Sequence, residues 1–363
     1  MRFKLLTTFE EFLLLKEQWN RLVEATDVDH AFMKHEWFEC WIKNLMPEGK
    51  LVVHTAWEND RLVAVAPLQI VWQSRKKIPL RILSFLRSSI TPRSNFIIDN
   101  SIDSNAFFDS LFAIGGWDIA EFKAMEAGIP ATAKFMDYVE KNLNFVTEDG
   151  LQSPFEVNET DWETYLKSKS KNYRKNYRNY LNRLQNEGEY KILKVENSSD
   201  FERWFESLVE VSGRSWKFAE KTDLKSMPQV ADFYRDFSIL TAESGLFVAY
   251  LLVIKEKLAA FSYYLRHRNR LVGIRWEYDE EYAYFMPGIV LHNYCLKDSI
   301  DSGQKWEYDL SGMVTEHKGR LAEQIRKHID VTVGRPGLLG KLIMFFKRLP
   351  LSARTVKHDT AAS

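Results

Sequence analysis

The sequence predicts a mixed α/β (α+β) protein with two similar domains in tandem, and three observations lead to this fold class. The chain has 363 residues, which is enough material for two ordinary domains. Short apolar runs of strand character alternate with runs of helical period, which favours a mixed fold over an all-β fold or a helical bundle. The order of these runs repeats after roughly 190 residues, so each half is expected to form a largely antiparallel mixed sheet flanked by helices.

The first strand and helix of each half show the repeat most directly. Residues 4–6 form a short strand-like run, and residues 9–23 follow with apolar side chains at helical spacing. Residues 191–193 and 201–209 repeat this order in the second half. Each half is therefore expected to begin with one strand and one helix.

A hairpin follows in each half, and the two hairpins lead to a domain division. Residues 51–71 and residues 246–265 each contain two strand-like runs around a short polar turn. Between the halves, residues 149–154 carry Gly, Ser and Pro and little periodicity, which is typical of a boundary. The predicted units are a degenerate first domain at 1–152, a second domain at 153–333, and a basic amphipathic helix with a disordered tail at 334–363.

The composition excludes several classes of protein. Hydrophobic residues make up 45% and charged residues 28% of the chain, which disfavours disordered, collagen-like and coiled-coil proteins. Fifty basic residues balance 50 acidic ones, so a nucleic-acid or membrane partner would need a local basic patch. Cys40 and Cys295 are expected to be core thiols in a reducing compartment. We find no signal peptide and no membrane-spanning run, so the sequence predicts a cytoplasmic protein.

Residues 167–183 combine seven cations with no carboxylate. Within them, Tyr173, Tyr177 and Tyr180 fall at helical spacing, so the stretch is predicted to be an amphipathic helix with a basic outer face. Three interpretations stay open. The helix is an ordinary solvated face, a site for a phosphorylated or otherwise anionic substrate, or a docking surface for nucleic acid.

The segment Met286-Pro287-Gly288 directly precedes an apolar-periodic helix at residues 289–300. Proline is favoured in the first turn of a helix, and glycine lets a ligand approach the backbone closely. The unpaired N–H groups of such a helix start suit an anion, for example a pyrophosphate. Ordinary helix punctuation accounts for the same residues, so both interpretations stay open.

Residues 305–312 are predicted to form a short strand that returns beside this helix start. Because side chains alternate along a strand, Trp306, Tyr308 and Leu310 are expected on one face. Glu307, Asp309 and Ser311 are expected on the opposite face. Asp309 stands just before a Ser-Gly loop. A carboxylate there is either a general base or substrate-orienting group, or a solvated strand-end or cap residue.

Taken in order, five elements resemble the motifs of tandem acyltransferases of the GNAT superfamily, of the CelD-like or BcsL-like type: Tyr173-Arg174-Lys175-Asn176, Met286-Pro287-Gly288-Ile289-Val290-Leu291, Gly303, Tyr308-Asp309-Leu310-Ser311-Gly312 and His317-Lys318. These acetyltransferases are associated with cellulose and other exopolysaccharide biosynthesis and are related to the FemAB peptidyltransferases. The resemblance spans most of residues 150–325. The chain departs from the family pattern at Met286, Leu310 and His317, where the family has Ser, Phe and Tyr. The superfamily signature Gln/Arg-x-x-Gly-x-Gly/Ala is also absent from this half.

The resemblance implies direct transfer of an acyl group, acetyl above all, from acyl-CoA to an amino or hydroxyl group of a sugar or polysaccharide precursor. Such a reaction needs a proton acceptor, donors for an oxyanion and a thiolate leaving group. The predicted donor-binding residues are Trp276, Met286, Pro287, Gly288 and Ile289. The predicted catalytic residues are Asp309, Glu277 and Lys318, and the predicted acceptor contacts are Arg174, Tyr173, Tyr278 and His317.

Two other functions stay open on the sequence. The first is an aminoacyl-transferase that uses charged tRNA, with the basic helix as its docking surface. The second is a non-catalytic assembly factor of a polysaccharide system. No motif has metal-ligand spacing, so no metal is expected. Residues 337–349 are predicted to form an amphipathic helix that either docks on its own protein or rests weakly on the cytoplasmic face of the inner membrane.

Overall fold

The computed structural model describes residues 1–28, 30–46, 49–75, 77–158, 161–303, 305–312, 322 and 324–348, and it contains two sheets. The strands are β1 (Arg2–Leu6), β2 (Gly49–Glu58), β3 (Arg61–Arg75), β4 (Ile78–Phe85), β5 (Ile97–Ile98), β6 (Ile119–Glu126), β7 (Asn144–Asp149), β8 (Ser153–Asn158), β9 (Tyr190–Val195), β10 (Phe247–Ile254), β11 (Lys257–His267), β12 (Arg270–Tyr278), β13 (Trp306–Asp309), β14 (Gln324–Arg326) and β15 (His328–Gly334).

The α-helices are α1 (Phe9–Leu13), α2 (Lys16–Ala25), α3 (His35–Leu45), α4 (Asn105–Phe112), α5 (Pro130–Asn142), α6 (Trp162–Ser168), α7 (Lys171–Glu187), α8 (Ser198–Gly213), α9 (Pro228–Thr241), α10 (Pro287–Asp301) and α11 (Leu338–Arg348). Three short 3₁₀ helices span Ala31–Met33, Trp216–Phe218 and Glu280–Phe285.

The two sheets follow the same plan. The first has the strand order β1-β2-β3-β4-β6-β15-β7, with β5 beside β3, and the second has the order β9-β10-β11-β12-β13-β8-β14. Neighbouring strands are antiparallel except for one parallel pair in each sheet, β4 with β6 and β12 with β13. The predicted fold class, mixed sheets flanked by helices, is thereby confirmed.

The second half of the chain contributes one strand to the first sheet. Strand β8 follows β7 along the chain but lies in the second sheet, between β13 and β14. Strand β15 follows β14 but lies in the first sheet, between β6 and β7. The predicted range 153–333 for the second domain thus ends in a strand whose hydrogen bonds are made to the first sheet. The first sheet is complete only when both halves of the chain are present.

Both predicted hairpins are present, and both close on tight turns. Asn59 and Asp60 join β2 to β3 with φ values of 47° and 65°. Lys255 and Glu256 join β10 to β11 with φ values of 47° and 63°. Two successive residues with positive φ give a turn whose twist matches that of paired strands.

Two predicted helices are each interrupted. Residues 9–23 form α1 and α2 with a break at Leu14, whose side chain is 84% exposed. The break lets both Phe12 and Trp19 reach the core, where they are fully buried. The basic stretch is divided between α6 and α7, because the Ser170 hydroxyl accepts the N–H of Tyr173 at 3.1 Å and starts a new helix.

One hydrophobic core continues from the first half into the second. Trp37 of α3 packs edge-on against Phe233 and Phe237 of α9, with ring centroids 4.8 and 5.5 Å apart. At the margin of this contact, the Asn44 amide donates to the Asp236 carboxylate at 2.8 Å. Aromatic packing of this kind stabilises the relative placement of α3 and α9.

Candidate functional site

The second sheet opens where β12 and β13 part. These parallel strands pair only over residues 270–272 and 307–309, after which β13 ends and β12 continues along β11. The register between β12 and β11 shifts at this point, so Ile274 is an extra residue between Gly273 and Arg275. A bulge interrupts the regular ladder and re-aims backbone and side chains. Residues 273–278 of β12 therefore border an open gap.

A cavity of about 580 Å³ occupies this gap. That volume falls in the range of roughly 300–1,000 Å³ found for small-molecule sites. The lining residues come from β12, the Glu280–Phe285 segment, the start of α10, the loop after α8 and the end of β13: Trp216, Lys217, Gly273, Ile274, Arg275, Trp276, Glu277, Tyr278, Ala283, Met286, Pro287, Gly288, Ile289 and Leu310. Seven predicted site residues meet here: Trp276, Glu277, Tyr278, Met286, Pro287, Gly288 and Ile289.

The start of α10 presents an open backbone to this cavity. Met286 is the N-cap residue and adopts the left-handed conformation, with φ 51° and ψ 52°. Such a conformation is unfavourable for most residues with a side chain, and it recurs at functional sites as well as in turns. A Cβ atom added to Gly288 would meet nothing within 4 Å, so the space beside this backbone is free. The amide of Gly288 lies in the first turn, where a helix has no acceptor for it.

Gly273 permits close packing on the opposite wall. A Cβ atom at this position would lie 2.8 Å from Nε1 of Trp276, closer than real Cβ contacts come. Glycine therefore lets the Trp276 indole lie flat against the backbone of β12. The indole N–H is buried and has no hydrogen-bond partner among the described residues.

A cluster of three charged side chains stands at one side of the cavity. Glu277 is buried, and its Oε1 accepts a hydrogen bond from Nζ of Lys217 at 3.0 Å and ion-pairs with Arg275. The other carboxylate oxygen, Oε2, is buried without a hydrogen-bond partner in the described part of the chain. Arg275 is held in place by a 2.8 Å hydrogen bond from Nη2 to the carbonyl of Thr222. The cluster therefore holds one buried carboxylate oxygen that can still accept a proton or hydrogen bond.

Lys217 is the cation of this cluster whose pKa is shifted. Burial lowers its pKa, whereas the charge of Glu277 opposes that change. The ammonium is only partly exposed and lies 5.8 Å from the centroid of the Trp216 ring. A lysine with a lowered pKa gives up its proton more readily than a solvated one.

Asp309 has surroundings that do not suit the predicted general base. Its carboxylate is fully buried and ion-pairs with both Arg93 and Arg326, while Oδ1 accepts the N–H of Ser311 at 2.8 Å. Burial favours the neutral form, but the two arginines outweigh it and hold the pKa of Asp309 below its usual value. A carboxylate with two guanidinium partners is a weak proton acceptor. Asp309 also lies outside the cavity lining, although the next residue, Leu310, is part of it.

This ion-pair centre joins the two halves of the chain. Arg93 comes from the segment after β4, Asp309 ends β13, and Arg326 lies on β14. Nε of Arg326 also donates to Glu126 at 2.8 Å, and its Nη2 donates to Glu307 at 2.7 Å. The centre therefore links the first sheet to the strand that borders the cavity.

The predicted acceptor residues of the basic helix lie apart from the cavity lining. The Tyr173 hydroxyl is within hydrogen-bond distance of the Asn293 side chain, 3.0 Å from Oδ1, and so joins α7 to α10. Arg174 donates to the carbonyl of Lys167 at 2.9 Å. His317 and Lys318 lie outside the described residues.

The first sheet lacks a corresponding opening in the part that the structure describes. Strands β4 and β6 pair in parallel and then part, as β12 and β13 do. Residues 86–96 run into the gap, and the N–H of Ser94 donates to the carbonyl of Ala124 at 3.1 Å. Phe96 is fully buried there between Phe85 and Phe122, with ring centroids 5.0 and 5.2 Å away. The chain's own side chains fill this gap.

The described residues contain no group of three or more His, Cys, Asp or Glu side chains that could hold a metal ion. They also contain no helix with both the length and the hydropathy that crossing a bilayer requires.

Sequence reasoning missed three residues of this region. Lys217 follows a helix in a stretch without a motif, so only its position in space connects it to Glu277. Arg93 and Arg326 are 216 and 17 residues from Asp309, and no local pattern signals their pairing. Their one sequence signal is that they are cations near the ends of apolar runs, which is too common to be informative.

Comparison with known proteins agrees with this geometry. Residues 171–319 match the family model of an acetyltransferase (GNAT) domain. FemX shares 12% identity over 96% of this chain and 100% of its own, with a TM-score of 0.60. The C-terminal domain of a protein described as a lysylphosphatidylglycerol synthetase, from Agrobacterium fabrum, shares 10% identity over 94% and 96% of the chains, with a TM-score of 0.54. L-PGS from Bacillus licheniformis shares 12% identity over 91% and 95%, with a TM-score of 0.51.

Identities this low establish a common fold and nothing more. A search of curated proteins finds no match. The prediction of an acyltransferase enzyme is confirmed by the match of residues 171–319 to the model of an acetyltransferase (GNAT) domain, and the chain shares its overall fold with FemX.

Proposed function

We propose that the protein transfers an acyl group, most simply acetyl, from acyl-CoA to an amino or hydroxyl group of a sugar or polysaccharide precursor. The motif resemblance to CelD-like and BcsL-like enzymes supports a role in exopolysaccharide or cellulose biosynthesis at the cytoplasmic side of the envelope. In the part of the chain that the structure describes, no Cys or Ser side chain lines the cavity. Donor and acceptor are therefore expected to react directly in a ternary complex, without a covalent enzyme intermediate.

In this proposal the donor enters at the start of α10. The diphosphate of CoA lies against the amide of Gly288, where the helix end carries a partial positive charge. The pantetheine arm follows the cavity between Trp276 and Leu310. The thioester carbonyl reaches the bulge at Ile274, and we assign the backbone N–H of this extra residue, which falls outside the regular strand pairing, to the oxyanion.

Glu277 then receives the proton of the attacking group. The acceptor nitrogen or oxygen forms a bond to the thioester carbon, and its proton passes to Oε2 of Glu277. When the carbon–sulfur bond breaks, the electron pair leaves on sulfur, and the Lys217 ammonium donates a proton to that thiolate. The 3.0 Å hydrogen bond between Lys217 and Glu277 then provides a path for the proton to return to the lysine.

One observation carries this proposal: Glu277, a carboxylate with one oxygen that has no hydrogen-bond partner among the described residues, lines a cavity whose other end is a helix start. We therefore assign the proton-acceptor role to Glu277 in place of Asp309. Tyr278, on the same wall, is retained as an acceptor contact, and Tyr173 and Arg174 are assigned to the surface around α7.

Glu277→Gln tests the assignment. Glutamine keeps the size and hydrogen-bond acceptor but removes the basic oxygen, so thiol release from acetyl-CoA should fall at least about a hundredfold while the Kd for CoA stays within about threefold. Glu281→Gln, at an exposed position four residues along the chain, is the matched control and should keep full activity. Full turnover in Glu277→Gln would remove this carboxylate from the reaction.

The basic helix supports a second candidate, an aminoacyl-transferase that takes its donor from charged tRNA. Lys171, Lys175 and Arg178 are exposed, and no ion pair to a described carboxylate involves them. Helix α7 borders the donor entrance, because Arg183 donates to the carbonyl of Tyr284 at 2.9 Å. This candidate predicts tRNA binding that weakens steeply with salt, whereas CoA binding without tRNA binding would exclude it.

A further inference from the structure

Helix α11 covers part of the first sheet with only one of its faces. Ile343 packs against an apolar cluster on that sheet, formed by Val71, Leu80, Ile82 and Ile119. Met344 is fully buried, and the helix follows directly on β15. The inner face of the helix is therefore fixed on the protein, as one of the two predictions for residues 337–349 expected.

The opposite face of α11 carries large apolar side chains in solvent. Leu338, Leu342 and Phe345 are 90%, 53% and 61% exposed. They stand four and three residues apart, so they form one stripe along the helix, about 10 Å long. Monomeric proteins rarely expose such a continuous apolar row, and it marks a contact surface.

A second element extends this surface. Ile78, at the start of β4, alternates with Leu80 and Ile82 and so lies on the sheet face that α11 covers. It is 52% exposed. The turn before it reads Arg75-Lys76-Lys77, and Lys77 is exposed with φ 67°. The end of the β3–β4 hairpin therefore adds one apolar side chain and a basic turn beside the helix.

Helix α11 and the β3–β4 turn both carry positive charge. Neither 338–348 nor 75–78 has a carboxylate in its sequence, and the described cations of these segments are Lys341, Arg75 and Lys77. Glu121 lies nearby but is buried and ion-paired with both Arg75 and Lys123. The surface therefore combines an apolar stripe with a net positive rim.

We propose that α11 and the β3–β4 turn together form a docking surface for an anionic lipid bilayer. An apolar stripe between cations matches the boundary between acyl chains and acidic headgroups. Helix α11 alone would give weak, reversible binding, and the hairpin provides the second contact. A second copy of the chain is the poorer partner, because a symmetric contact would bring two positive rims together.

The experiment is flotation of the full-length protein with vesicles of phosphatidylglycerol and phosphatidylcholine, compared with vesicles of phosphatidylcholine alone. Binding should require the anionic lipid and weaken with added salt. Leu342→Asn with Phe345→Ser should reduce the partition coefficient at least about tenfold. Lys77→Glu should reduce it about fivefold or more.

Matched variants from other surfaces control for general effects. Leu14→Asn replaces a leucine that is 84% exposed in the break between α1 and α2, and Lys257→Glu reverses an exposed cation at the start of β11 in the second half. Both should bind vesicles as the wild type does, and all variants should keep the wild-type melting temperature because each site is exposed. Equal binding of the α11 variant and the wild type would overturn the proposal. So would a dimer in solution that the α11 variant dissociates while vesicle binding is absent.

Discussion

Asp309→Asn distinguishes a structural role of this carboxylate from a catalytic one. Arg93 and Arg326 both pair with Asp309, and all three side chains are at most 7% exposed. Asparagine keeps the shape of the side chain but leaves two buried guanidinium groups without their shared negative charge. Removing one partner of a buried ion pair costs about 3–5 kcal/mol. Because Arg326 keeps Glu126 and Glu307, we expect a loss of unfolding free energy near the lower end, about 3 kcal/mol.

Equilibrium unfolding in urea, followed by tryptophan fluorescence, measures this loss. Asp301→Asn is the control, because that carboxylate pairs with Lys297 on an exposed helix surface and should contribute less than about 1 kcal/mol. The pKa of Asp309 is lowered in the folded protein, so its stabilisation is present above its usual pKa and is lost as the pH falls through the lower folded value. The difference between wild type and Asp309→Asn should therefore stay constant near neutral pH and shrink in strong acid.

Enzymatic activity provides a second test of the structural role of Asp309. If Asp309 only positions β13, the fraction of Asp309→Asn that remains folded should retain measurable thiol release from acetyl-CoA. A variant with wild-type stability and no turnover would refute the structural reasoning and restore Asp309 as a participant in the chemistry.

Three further predictions follow from other parts of the molecule. Gly288→Val should raise the Kd for CoA at least about tenfold, because the new side chain fills the space beside the helix start. Gly115→Val, which also adds a side chain in open space, is the control and should leave the Kd unchanged. Equal Kd values for both variants would reject the anion site. Burial lowers the pKa of His54 to about 4, so the unfolded chain binds the proton first and stability falls as the pH drops from about 6.5 towards 4. His54→Phe should remove on the order of 1 kcal/mol of that loss between about pH 7 and pH 5, and an unaltered pH profile of urea unfolding would contradict the assignment. Fragment 1–152 lacks β15, a strand of the first sheet, so it should show no cooperative melting alone and should recover it when coexpressed with fragment 153–363. A cooperative transition of fragment 1–152 alone would argue against this contribution of the second half.

The features that the sequence predicted well are local. The two hairpins depend on alternation and short polar turns, and the helix start at Pro287 depends on residues next to each other in the chain. Such patterns act over a few residues, so they can be identified without knowing the rest of the fold. The donor end of the candidate site belongs to this group.

The features that the sequence did not reveal depend on distant segments. Strand β15 reads like any short apolar strand, and only its hydrogen bonds place it in the first sheet. Asp309 resembles a strand-end carboxylate, and its surroundings are set by Arg93, 216 residues away. Lys217 acquires its significance from a contact with Glu277, 60 residues further on. No periodicity or propensity encodes these pairs, because they arise only when the sheets are assembled.

The first half has no corresponding cavity among the described residues, but the segment that fills its gap has a structural role in the second half. Residues 86–96 close that gap, and Arg93 of the same segment forms an ion pair with Asp309 at the end of β13. The next residue, Leu310, forms part of the cavity wall, so the first half fixes the edge of the site in the second. Strand β15 and the aromatic contact of Trp37 also join the two halves of the chain. A change at Arg93 is therefore expected to alter the cavity through β13 rather than through contact with a substrate.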